Sequence, residues 1–94
     1  MASYRLSTLA DAKMVEIYRY SLRNFGLVQA RTYTQSLHET FAQLARRPQL
    51  GRPWRDWRRH EHAEHVIFYE VTDDGIYIVR IFHHRENIVA WMKS

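Results

Sequence analysis

Two apolar runs, residues 65–71 and 76–82, flank the triplet Asp73-Asp74-Gly75. Val, Ile, Phe and Tyr dominate both, and these side chains suit a pleated, half-buried surface. An Asp-Gly step between two such runs predicts a β-hairpin, because glycine takes the positive φ that the turn needs. Neither run alternates cleanly between apolar and polar. In the second, straight alternation sends Ile76, Ile78 and Phe82 to one face and Tyr77, Val79 and Ile81 to the other. Both faces are then apolar, as in a central strand. Arg80 lies inside this run. A charge there must reach a partner, water or the sheet rim, since burying it alone is costly.

The remaining segments read as cover for this hairpin. Tyr4-Arg5-Leu6-Ser7 predicts a short strand, after which Ser7 or Thr8 can cap a helix, with Asp11 completing a box. The period then changes to 3.6: Ala10, Met14, Ile17, Ser21 and Phe25 form one stripe, and Gly26 is placed to end the helix. A second stripe, Ala30, Tyr33, Leu37, Phe41, Leu44 and Ala45, stops at Pro48, with Arg46 and Arg47 suiting its C-terminal dipole. Helices joined by so short a turn should lie antiparallel. Residues 48–53, with two prolines and one glycine, predict a loop. The polar stretch 58–62 predicts a weak edge strand, whose charges discourage unwanted pairing. Ile88, Val89, Trp91 and Met92 predict a short C-terminal helix.

The fold class is therefore α+β, in the order β-α-α-β-β-β. An N-terminal strand and an α-helical hairpin pack on a small antiparallel sheet, with a possible short helix at the end. The expected core is Leu6, Met14, Ile17, Leu37, Phe41, Leu44, Ile67, Tyr69, Ile78 and Ile81.

Length and composition narrow the class. Ninety-four residues suffice for one small domain, expected over 1–94, that buries only about 60–65% of its unfolded surface. There is no cysteine, so disulfide and thiolate chemistry are excluded. The opening MASYRL lacks the charged and apolar regions of a signal peptide, and no apolar run approaches a membrane span. A cytoplasmic location without membrane partners is expected. The net charge of +4 favours acidic partners, either nucleic acid or an acidic polypeptide.

Two constellations have chemical potential. His60, His62 and His65, with His83 and His84, are residue types that zinc accepts, but their spacing does not impose convergence, and no metal is expected. Arg58, Arg59, Arg80, Arg85, His83 and His84 form a basic set on or beside the sheet. It could hold RNA phosphates while a histidine moves a proton, or receive an acidic polypeptide. No glycine-rich phosphate loop, hydrolase triad order or paired-carboxylate motif is present, so no cofactor is expected.

The ordered series Tyr4-Arg5-Leu6-Ser7, Ile17-Tyr18-x-Tyr20, Phe25-Gly26, Gln29-Ala30, Tyr33 and Leu44-Ala45-x-x-Pro48-x-Leu50-Gly51-Arg52-Pro53 resembles the ParE branch of the RelE/ParE toxins. So do residues 65–69, Asp73-Asp74-Gly75-Ile76 and Arg80-Ile81-x-His83-x-Arg85. The resemblance implies the toxin of a type II toxin–antitoxin system, held inactive by a cognate ParD-like antitoxin, as a homodimer or a toxin–antitoxin heterotetramer. In the ParE branch the implied target is DNA gyrase, bound without catalysis. The alternative is ribosome-dependent cleavage of messenger RNA, as in the RelE branch. That branch uses strand lysines, two arginines and a C-terminal tyrosine, at positions that here hold Trp57 and Arg59, Val66 and Arg85, and Trp91. An indole cannot replace a phenol as acid or base. Only Arg85 is retained and Arg59 keeps charge, so a nuclease would have to work with Arg59, His83 and Arg85. For target binding the candidates are Arg59, Arg80, His83, Arg85 and Trp91.

Overall fold

The structure is a computed structural model that describes residues 2–93. Its elements run β1 (Ser3–Leu6), α1 (Thr8–Phe25), α2 (Leu27–Arg46), a 3-10 turn (Pro48–Leu50), β2 (Arg52–Trp54), β3 (Trp57–His62), β4 (His65–Thr72), β5 (Gly75–His83) and α3 (Ile88–Lys93). The five strands form one sheet in the order β1-β5-β4-β3-β2. The α+β reading holds, with two corrections to the sheet. First, β1 pairs parallel to β5, because the chain crosses the sheet through the helical hairpin before β5 is made. Second, the predicted loop 48–53 ends in the short strand β2. Stretch 57–62 is consequently an inner strand, and β2, three residues long and carrying Pro53, is the edge.

Ser7 caps α1, its Oγ accepting from the Ala10 N–H at 3.0 Å. Gly26 closes α1 and opens α2 in a single residue. Its N–H donates to the Leu22 carbonyl and its own carbonyl accepts from Ala30 N–H, at φ 91°. A β-carbon is disfavoured at that φ. On α1 the buried stripe is Ala10, Met14, Ile17 and Ser21. Phe25, expected to continue it, is exposed, because residues 22–29 form a hairpin tip that projects past the core. On α2 the buried positions are Ala30, Leu37, Thr40, Phe41, Leu44 and Ala45. All the expected core residues are buried except Leu6, which packs half-buried against the same cluster.

The strand β5 does not alternate straight through. Phe68 of β4 faces Arg80, but Tyr69 faces Ile78, so Val79 is an extra, bulged residue. The bulge changes the phase of the strand. Ile76, Ile78 and Ile81 join Met14, Ile17 and Phe41 in the cluster under the helices. Phe82 falls on the other face, with Val66, Phe68, Trp54, Ile88 and Trp91. This corrects the straight alternation expected for 76–82: Ile81 and Phe82 exchange faces. The bulged carbonyl is not wasted. Ser7 Oγ donates to the Val79 carbonyl at 2.6 Å, and Ser7 N–H donates to the Ile78 carbonyl at 2.9 Å. One serine thus ties the start of α1 to the irregular point of β5.

Gly75 at the hairpin turn has φ 152°, and a β-carbon there would lie 1.7 Å from the Ser3 carbonyl oxygen. The glycine lets β1 pass close enough to pair. At the opposite edge, Tyr69 Oη donates to the Pro48 carbonyl at 2.6 Å and accepts from Gly51 N–H at 2.9 Å. This fixes the loop that delivers β2.

Ser7→Ala should lower stability by about 1–2 kcal/mol, since it removes a helix cap and a bond to the bulge together. Ile78→Ala should cost about 2–5 kcal/mol. Urea denaturation with unchanged slope checks both. Losses no larger than that of Leu9→Ala, at an exposed position, would contradict the assignment.

Candidate target-binding surfaces

One face of the sheet is covered by the helical hairpin and the other, the open face, only by α3 over Val66, Phe68 and Phe82, and the candidate residues divide between them. On the open face one line of register crosses four strands: Arg52 faces Arg59, Arg59 faces Phe68, and Phe68 faces Arg80. The Arg59 guanidinium carbon lies 5.7 Å from the Phe68 ring centroid. That of Arg80 lies 4.6 Å from Phe82 and 5.3 Å from Trp91. Such cation–π placement stabilises a half-buried guanidinium by about 0.5–2 kcal/mol.

Beside this line sit Trp54, Trp57 and Trp91, all the tryptophans of the chain. Trp54 and Trp57 are directly opposed across the β2–β3 turn. Trp91, from α3, lies 5.5 Å from each, with interplanar angles of 6° and 11°. It also touches Phe68 and Phe82 at 5.1 Å. The indoles anchor α3 on the sheet. Arg59, Arg80 and Trp91 are therefore brought together on this face.

His83 and Arg85 are not with them. His83 pairs with His65 on the helix side, their rings 5.3 Å apart. Arg85 follows the strand and lines, with His83 and Glu86, a groove against α1. There Glu86 Oε1 binds Lys13 Nζ at 2.7 Å and accepts from His83 N–H at 2.8 Å. Burial pulls the Lys13 ammonium down, but bonds to Glu86 and Glu16 outweigh it and hold its pKa above the ordinary value. For Glu86 burial acts upward, and the His83 N–H and Lys13 outweigh it, so its carboxyl is depressed. Tyr33, its phenol pushed up by burial, bonds His65 Nδ1. Burial first, then His83 and Lys13, lower His65 to about 4.

Two of the other histidines bond groups of the fold itself. His62 bonds Ser36 and Thr40 of α2, and His84 Nε2 meets the Ala63 carbonyl. Among the described residues no group of three or more His, Cys, Asp or Glu is arranged to hold a metal ion. Nor does any helix among them have the length and apolarity to cross a membrane.

Arg52, Trp54 and Phe68 complete the open face and were not singled out from sequence. The signal was symmetry: Arg52 and Arg59, like Trp54 and Trp57, are equidistant from the two-residue turn Arg55-Asp56. Arg55 takes φ 55° there, without a glycine to announce it.

The family model described as "ParE toxin of type II toxin-antitoxin system, parDE" matches residues 4–88. The chain belongs to the ParE toxin family. It is 34% identical over 94 residues to Toxin ParE1 of Caulobacter vibrioides, covering 96% of this chain and 97% of that one. Toxin ParE1 of Mycobacterium tuberculosis is 31% identical over 90 residues, covering 90% and 92%. A chain of the chromosomal ParDE system from P. aeruginosa shares the fold at a TM-score of 0.75, with 24% identity over 88% of this chain and 96% of that one.

In this ParE-family chain, the positions aligned above with the RNA-cleaving set are dispersed or packed. Trp57 and Trp91 stack on each other, Val66 is fully buried, Arg59 faces the open side, and Arg85 lies by the groove. Arg59, His83 and Arg85 do not converge on one point, since Arg59 and His83 sit on opposite faces of the sheet.

His65 makes stability pH-dependent. Its folded pKa lies below its unfolded value near 6.5. Its contribution is therefore intact above pH 6.5 and is lost as pH falls from there towards about 4. Glu86, also depressed, acts in the same direction at lower pH. Denaturation between pH 7.5 and 4.5 should show a fall of about 1–3 kcal/mol, flattened in His65→Gln. A fall of the same steepness in the variant would contradict this role.

Proposed function

We propose that this ParE-family chain is a toxin that inhibits DNA gyrase by binding it, without chemistry of its own, and that a cognate ParD-like antitoxin neutralises it. The observation that carries this reading is the tryptophan stack. Where the RNA-cleaving branch needs proton-transfer groups, Trp57 and Trp91 lie ring on ring at 5.5 Å. Losing members of a catalytic set that acts as a unit removes most of its rate. A gyrase poison needs only a surface with greater affinity for one state of the enzyme than for another.

The open face, with Arg59, Arg80 and Trp91, is our choice for the target. Tryptophan and arginine are the residues most enriched in interface hot spots. The groove along α1, with His83 and Arg85 at its end, suits the antitoxin. Tyr20, Phe25 and Tyr33 give it apolar wall, and Lys13, Arg19 and Arg23 give it positive charge. An acidic, amphipathic tail would order on it, burying apolar area as it folds. The working form is then a cytoplasmic toxin–antitoxin heterotetramer or a homodimer of the free toxin.

Purified toxin, freed of antitoxin, should stall gyrase in cleavage complexes and leave cell-free translation unaffected. Trp91→Ala should weaken the gyrase effect at least tenfold. Translation blocked with gyrase untouched would overturn the reading in favour of messenger RNA cleavage.

A further inference from the structure

The open face has a charge arrangement that the fold alone does not explain. Arg52 and Arg59 are directly opposed across β2 and β3, and like charges so placed destabilise a sheet. Arg80 continues the line two strands on. From Arg52 to Arg80 the line spans roughly 14 Å, three strand spacings. One carboxylate, Glu61, serves both Arg52 and Arg59, at 3.5 and 3.4 Å. Among the described residues Arg80 has no ion pair, and the buried Arg59 Nε has no hydrogen-bond acceptor. A row of three guanidiniums short of anions lies beside three near-parallel indoles.

We propose that this face binds unpaired nucleic acid, with phosphates along the arginine line and bases against the tryptophans. An arginine stacked on a ring keeps its N–H edge free for an anion, and an indole offers a nucleobase a stacking partner that a carboxylate side chain does not provide. Arginines interleaved with aromatic platforms are the pattern of sequence-tolerant single-strand binding. The proposal deepens the gyrase reading. It adds to the open face a contact with the exposed strand of a cleaved gyrase–DNA complex beside the gyrase contact, and only this cellular role rests on that reading.

All three tryptophans lie in this cluster, so tryptophan emission, excited selectively over the six tyrosines, reports on this face. The full-length chain is titrated with a fifteen-nucleotide oligothymidine, the matching duplex and a glutamate homopeptide. The single strand should quench the tryptophans. Affinity should fall roughly twentyfold between 50 and 200 mM salt, a log–log slope of about −2 for three single-strand phosphate contacts. Arg52→Gln, at the exposed edge, should reduce that slope to about −1.4, while Arg31→Gln on α2 leaves it unchanged. No quenching at low salt, equal binding of duplex, or an equal response to polyglutamate would each overturn the proposal. Gyrase inhibition without oligonucleotide binding overturns this proposal alone. Oligonucleotide binding without any gyrase effect overturns the target reading alone.

Discussion

A lone arginine in the middle of a buried strand is the constraint around which this structure is arranged. Straight alternation from Ile76 and Ile78 would aim Arg80 under the helical hairpin, among side chains that offer no counter-charge. Burying an unpaired guanidinium there would cost more than a domain of this size has to spare. The extra residue Val79 resolves the conflict by turning the strand over between Ile78 and Arg80. Ile81 then fills the core, and Arg80 emerges on the open face against Phe82 and Trp91. A bulge leaves backbone groups unpaired, and Ser7 answers for one of them while capping α1. Sheet register, helix start and surface chemistry are thereby set together.

The same turn of the strand separates two chemically unlike environments. Towards the helices lies a titratable cluster, in which His65, His83, Glu86 and Lys13 tie β5 to α1. Away from them lies a face with arginines and indoles and little counter-charge. On the proposed reading the toxin meets an antitoxin and a target, and two chemically unlike faces allow the two to be recognised independently. The short helix α3 belongs to the second face, held there by one indole laid against two others.

Much of the fold was legible because its signals are local. The 3.6 period, Gly26 and Pro48 marked the helical hairpin, and Asp74-Gly75 marked the β-hairpin. What escaped has a physical reason in each case. A three-residue strand containing Pro53 carries too few side chains to show a period. The parallel pairing of β1 depends on a partner some seventy residues away and on the room that Gly75 leaves. The bulge sits in a run apolar on both faces, where a one-residue slip leaves no mark except the position of Arg80. Among the candidate residues, Arg59 and Arg80 were legible because charges stand out on strands, and Trp91 because an indole stands out in a short terminal helix. His83 and Arg85 were grouped with them by nearness in sequence, but the strand's pleat and the change of direction after it carry them to the helix side.

The bulge can be tested most directly by nuclear Overhauser contacts in solution. The account predicts contacts from the Ile81 methyls to Met14 and Ile17, and from the Arg80 side chain to the Trp91 ring. Arg80 in contact with the α1 and α2 core, and Ile81 in contact with Trp91, would mean that β5 alternates without interruption and would contradict it.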